Sequence, residues 1–293
     1  MFGRQFLTAV AACLLVSAGV AAAPLRIGIA TDIHVHDTNS PNQHAVMTNY
    51  AERLDAFVAA MTTWPADAVF ELGDLVNGAF VMGAPLGDPA RIAGLLDTAV
   101  ADLARFPGPE YFVLGNHDVY SLSKAEFLDA VGAPSTRWSF DLAGYHMVIL
   151  DAEFTKAGAD VADVVWMDQG TIPGAELDWL RQDLAATSLP TVVFVHQPLD
   201  VAFELEAGGP PVSNHTEVQT LLSESGRVIA VFQGHSHENR HTVVDGIHYV
   251  TFAAMVDRDV PTPPSWAAVT LDPEARTVRI DGEGLQEDLE FSY

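Results

Sequence analysis

Short apolar runs punctuate the chain, and most of them end in an aspartate, an asparagine or a histidine. Such runs, bounded by polar residues, read as buried strands. The strands expected are Arg26–Ala30, Ala66–Leu72, Tyr111–Leu114, Tyr145–Leu150, Thr191–Val195 and Val228–Phe232. Between them the apolar spacing changes to three and four, which lays one stripe along a helix. Met47, Tyr50, Leu54, Phe57 and Met61 predict a helix from about Ala45 to Met61. Ile92, Leu95, Leu96, Ala99 and Leu103 predict another, capped by Asp88 and opened by Pro89. Ser123-Lys124-Ala125-Glu126 is a capping box for a short helix. Leu177, Leu180 and Leu184 mark a further helix, and Val218, Leu221 and Leu222 one that stops near Gly226. Beyond Arg240 the alternation predicts antiparallel hairpins. Two long loops interrupt the pattern, Ala152–Gly174 and Gln197–His215; loops of this length usually carry function or move. Strands alternating with helices, without repeats or a linker, predict one α/β domain over residues 24–293.

The N-terminus does not belong to that domain. Arg4 precedes an apolar stretch from Phe6 to Val20 that ends in Ala21-Ala22-Ala23, the pattern of a secretory signal peptide over residues 1–23. Cleavage after Ala22 is as compatible with Pro24 as cleavage after Ala23. A lipoprotein box at Val10–Cys13 is disfavoured, because the chain stays apolar after the cysteine. An uncleaved anchor of this length would barely span a bilayer. An exported protein, periplasmic or secreted, with no stable membrane span after cleavage, is therefore expected. Cys13 is the only cysteine, so the mature chain has no disulfide to draw on. The formal charge of −25, with 39 acidic residues against 14 basic, argues against binding a nucleic-acid backbone or anionic lipid. Oligomeric state is not legible.

The strand ends carry the chemistry. The third strand breaks at Gly115 into Asn116-His117-Asp118, and other ends deliver Asp32 and His34, Asp74, His196, and His235 with His237. Open α/β sheets bind ligands outside the carboxyl ends of their strands. Imidazoles suit zinc or iron, and carboxylate and amide oxygens suit harder ions such as manganese. Seven such donors are too many for one tetrahedral ion. They suit two ions sharing a carboxylate, an arrangement that clamps both oxygens of an in-line displacement at phosphorus. In Asp32-x-His34 and His235-x-His237, extended backbone would send both side chains to one face.

The blocks Asp32-Ile33-His34, Gly73-Asp74, Gly115-Asn116-His117-Asp118, Val195-His196 and Gly234-His235-Ser236-His237, in this order, resemble the calcineurin-like metallophosphoesterases. The resemblance implies a four-layer α/β/β/α sandwich of two mixed sheets flanked by helices. It implies two divalent or trivalent ions (Mn, Fe or Zn), one held by Asp32, His34, Asp74 and His237, the other by Asp74, Asn116, His196 and His235. A metal-bridging hydroxide would attack the phosphorus of a small phosphate ester. Asn116 and His117 would meet the substrate, His117 would protonate the leaving group, and Asp118 would orient that imidazole. Phosphomonoesters and phosphodiesters lead as substrates; a nucleotide diphosphatase of the ADP-ribose or CDP-alcohol type is the alternative, and a non-catalytic metal-binding protein a second. The long loops carry Phe154, Trp166 and Phe203, which could stack on a base, but only one basic residue, Lys156, to meet a second phosphate. For His36, His44, His215, His241 and His248 a core or surface role is the default, and Asp151 reads as structural or as a support behind the donors.

Overall fold

The computed structural model describes residues 23–39, 47–78, 80–81, 84–85, 88–161, 169–200, 211–256 and 263–293. Within them, two six-stranded mixed sheets stack face to face. The first contains β1 (Leu25–Ala30), β2 (Ala68–Glu71), β5 (Glu110–Phe112), β12 (Trp266–Asp272), β13 (Thr277–Glu283) and β14 (Leu289–Ser292). The second contains β6 (Trp138–Leu142), β7 (Tyr145–Ile149), β8 (Thr191–Phe194), β9 (Val228–Gln233), β10 (Arg240–Val244) and β11 (Ile247–Thr251). Their orders are β14-β13-β12-β1-β2-β5 and β10-β11-β9-β8-β7-β6, and β3 (Phe80–Val81) pairs with β4 (Ala84–Pro85) as a small ribbon.

The apolar runs are continuous because both faces of the central strands are covered. In β8, Val192 and Phe194 enter the core between the sheets, while Val193 faces the helices, the period of two that a strand imposes. Between the sheets, Phe70 of β2 stacks on Phe194 of β8 with ring centroids 4.2 Å apart. Outside the first sheet, α1 (Tyr50–Thr63), α2 (Pro89–Leu103) and α3 (Lys124–Val131) bury Phe57, Leu96 and Phe127 with Val69 and Phe112. Outside the second, α4 (Gly174–Ala186) and α5 (His215–Ser225) bury Leu180 and Leu222 with Val148 and Val193. This is the expected four-layer arrangement. Among the described residues no helix is long and apolar enough to cross a membrane.

The helix signals hold in detail. Asp88 accepts the Ala90 N–H, Ser123 and Glu126 cap reciprocally, and Gly226 ends α5 with φ 62°. One boundary differs. α1 starts at Tyr50, because the backbone N–H groups of Met47 and Thr48 donate to Asn39 Oδ1. Met47 is therefore off the helix, buried with Ala254 and Val256. The edge strand β6 was not expected; its Trp138, Phe140 and Leu142 pack partly buried against the inter-sheet core.

Candidate metal centre

β1, β2 and β5 run parallel in one sheet, and β7, β8 and β9 in the other. Beyond β1, β2, β8 and β9 the turns are laced together. Asp32 N–H donates to Gly73 O, His34 N–H to Asp74 O, Gly234 N–H to His196 O, and His235 N–H to Asp32 Oδ2. The approach is close enough to demand glycine: a Cβ on Gly115 would stand 2.2 Å from Asp74 N, and Gly73 has φ +100°.

This lacing brings all seven expected donors into one cluster of two sets, buried except for the half-buried His237. In one, His34 Nε2 lies 3.0 Å from His237 Nε2, 3.8 Å from Asp32 Oδ1 and 3.6 Å from Asp74 Oδ2, and His237 Nε2 is 3.3 Å from Asp32 Oδ1. In the other, His196 Nε2 lies 3.2 Å from Asn116 Oδ1, from His235 Nδ1 and from Asp74 Oδ2, and Asn116 Oδ1 is 3.0 Å from His235 Nδ1. Donors about 2.0–2.2 Å from one ion, at angles between 90° and 110°, stand roughly 3–3.6 Å apart. All of these separations except the 3.8 Å from His34 to Asp32 fall in that range, and Asp74 Oδ2 faces a member of each set.

Protonation agrees with the donor role. Burial drives His34 well below the usual histidine range and His235 down to about 3, so both keep lone pairs. His196 is buried too, yet the Asp74 carboxylate, then Asp32, hold a proton on it. The same carboxylates would draw in the cation that displaces that proton. For Asp74, burial works upward, but the imidazoles of His196 and His117 outweigh it and keep the carboxyl ionised.

Two expectations need correction. Asp32 (φ 51°), His34 (49°), Asp74 (59°), His235 (68°) and His237 (59°) are all left-handed, so the Asp-x-His and His-x-His pairs do not lie on extended backbone. β1 ends at Ala30 and β9 at Gln233, and the donors stand on the turns that follow. Asp118 does not orient His117 either. Its Oδ2 accepts the N–H groups of Asp74 and Gly115, and its Oδ1 that of Val76. Adjacent residues on this turn point apart, and Asn77 takes the orienting place, with Oδ1 2.5 Å from His117 Nδ1. The Asn77 amide N–H donates to Met47 Sδ, which leaves its oxygen for the imidazole. His117 N–H donates to the other oxygen of Asp74, Oδ1.

The rim is less open than its sequence suggests. Phe154 carries Lys124 Nζ 3.3 Å above its ring, and that ammonium is held by Asp151 (2.7 Å) and Asp160 (2.9 Å). One face of Phe154 is thus taken, and Asp151 has the structural role expected of it. Trp166, Phe203 and His44 lie outside the described residues. His36 bonds to Thr38, His215 caps back to Val212 O, and His241 pairs with His248 on β10 and β11.

Fold and site together are those of an α/β/β/α sandwich with a cluster of metal-donor side chains at its strand ends. The chain matches the calcineurin-like phosphoesterase family over residues 25–239 and belongs to it; metal-dependent hydrolysis of phosphoesters comes with that membership. It is 23% identical over 252 residues to a manganese-dependent ADP-ribose/CDP-alcohol diphosphatase of Oryza sativa subsp. japonica, covering 71% of this chain and 76% of that protein. It is 24% identical over 247 residues to a probable cyclic nucleotide phosphodiesterase of Fibrobacter succinogenes, covering 80% and 82%. A dimetal phosphatase from Danio rerio superposes with a TM-score of 0.75 at 19% identity, over 94% of this chain and 100% of that one.

Proposed function

We propose that this protein hydrolyses small phosphate esters with one phosphorus centre, using two ions held by Asp32, His34, Asp74 and His237 and by Asp74, Asn116, His196 and His235. The observation that carries the reading is the single oxygen, Asp74 Oδ2, common to both donor sets. Two ions bound there supply Lewis acidity and an activated water. His117 belongs to neither set. Its Nδ1 is occupied by Asn77 Oδ1, so Nε2 is the nitrogen left to protonate a leaving oxygen. Burial, foremost, lowers its pKa, which makes the imidazolium a readier donor. Manganese is the first ion to test, because a relative is named manganese-dependent.

A second reading, hydrolysis of a nucleotide pyrophosphate, is favoured by the name of that same relative. Against it stands the shortage of positive charge: the two long loops carry only Lys156, and Lys124, over Phe154, is already paired with Asp151 and Asp160. Comparing kcat/KM of the Mn-loaded protein for an aryl phosphodiester, an aryl phosphomonoester and ADP-ribose tests the ranking. A clear preference for ADP-ribose replaces the first reading by the second. Two bound ions with no turnover of any of the three would make the protein a metal binder without this activity. Export is part of the proposal, and fractionation of cells carrying the full chain checks it.

A further inference from the structure

Asn116 is the one proposed donor whose side chain ends in an acceptor and a donor of nearly equal shape. Rotating the amide by half a turn would exchange Oδ1 for Nδ2 with little steric change. The flipped amide would aim N–H groups at the position shared with His196 Nε2 and His235 Nδ1, where an ion needs a lone pair. Something outside the donor set has to select the orientation.

The selecting contacts lie behind Asn116. Its Nδ2 donates to Tyr120 Oη over 2.8 Å, and that hydroxyl donates to Gln169 Oε1 over 3.0 Å. A tyrosine hydroxyl has one proton. With Gln169 presenting Oε1, the hydroxyl proton goes to Gln169 and the oxygen facing Asn116 accepts, an arrangement that favours Nδ2 outward and Oδ1 inward. Asn116, Tyr120 and Gln169 are all buried, so water does not offer a substitute acceptor. Gln169 lies a few residues before α4 in the chain.

We infer that Tyr120, polarised by Gln169, is a positioning residue that fixes the Asn116 amide with its oxygen toward the ion held by Asp74, Asn116, His196 and His235, and so ties occupancy of that position to Gln169. The inference rests on Asn116 being a donor, as proposed above. Partners that orient a donor in this way are usually worth about 10–100-fold in metal affinity.

The test is a calorimetric Mn²⁺ titration of the metal-free full chain. Wild type should bind two ions. Tyr120→Phe should weaken one of them by about 10–100-fold and leave the other unchanged, with kcat largely recovered at saturating Mn²⁺. Gln169→Met should weaken the same ion. In the Asn116→Asp background either end of the side chain is an oxygen, so adding Tyr120→Phe should cost little. Equal affinities in wild type and Tyr120→Phe overturn the inference, as does an equal loss at both ions or an undiminished penalty in the Asn116→Asp background. If Tyr120→Phe does not fold, the Gln169→Met titration decides by the same criteria. A wild type that binds one ion or none overturns the two-ion reading itself, a result separate from these.

Discussion

Asp118→Asn separates anchoring of the backbone from orientation of His117. The carboxylate of Asp118 is fully buried and accepts three backbone N–H groups, from Asp74 (3.0 Å), Val76 (3.0 Å) and Gly115 (2.9 Å). Asparagine has the same shape, but one end donates. Its best orientation keeps the oxygen on Asp74 and Gly115 and turns the NH₂ against Val76 N–H. One bond to a charged acceptor is lost, about 1.5–3 kcal/mol, and two buried donors are left facing each other, about 1–3 kcal/mol. Burial and the Asp74 charge push the Asp118 carboxyl up to about 7, and the amide relieves that strain, so the low end, roughly 3 kcal/mol, is expected. At about 2–4 °C per kcal/mol for a domain near this size, Tm should fall by roughly 6–12 °C. Thermal unfolding followed by circular dichroism reads this, and a leaving-group series on the metal-loaded variant reads the chemistry. The dependence of kcat on leaving-group pKa should match wild type, because Asn77 still holds the imidazole. An unchanged Tm, with a kcat loss that deepens for poor leaving groups, would return Asp118 to the orienting role and refute the argument.

Asp74→Asn should release both ions together, since one oxygen serves both sets; two tightly held ions per chain by elemental analysis would remove Asp74 from the bridge. His117→Ala should keep its metal and lose roughly 10²–10⁴ in kcat, the usual worth of a positioned acid, with a smaller loss for good leaving groups. Equal losses across the leaving-group series would mean that His117 only binds phosphate. Far from the centre, His146 of β7 bridges Asp141 of β6 (2.7 Å) and Asp183 of α4 (2.9 Å). Burial alone would lower its pKa, but these carboxylates raise it. The clamp is therefore fully present below the unfolded histidine pKa of about 6.5 and is lost as pH rises through the higher folded value. The Tm advantage of wild type over His146→Gln should shrink from about pH 6 to pH 9, and a constant difference would dismiss the clamp.

The donors were legible because each follows an apolar run, and a strand end pointing to a crevice leaves little freedom in where its first polar residues go. Sheet and helix order were legible for the same reason: buried strands and amphipathic helices differ in period. What the sequence hid was direction on the turns. Aspartate and histidine enter the left-handed region more readily than most residues, so nothing in Asp32-Ile33-His34 distinguishes that geometry from an extended one. Asp118 follows His117 in the chain, and adjacency suggested a contact that the turn forbids. Asn77 and Gln169 are amides in polar loops, and only their partners across the fold, His117 and Tyr120, give them meaning.

Each donor set straddles the seam between the two sheets. The first joins Asp32, His34 and Asp74 to His237, and the second joins Asp74 and Asn116 to His196 and His235. The half of the cluster that folds from the first sheet is complete by residue 116, while the other half waits for β8 and β9. A chain cut short before β8 holds neither full set and has no centre to assemble. An ion bound across the seam acts as a rivet: its binding free energy is also docking free energy of one sheet on the other. With the ions bound as proposed, competence would arrive in one step once β8 and β9 have docked, and removing the ions should loosen the sandwich from its active end first.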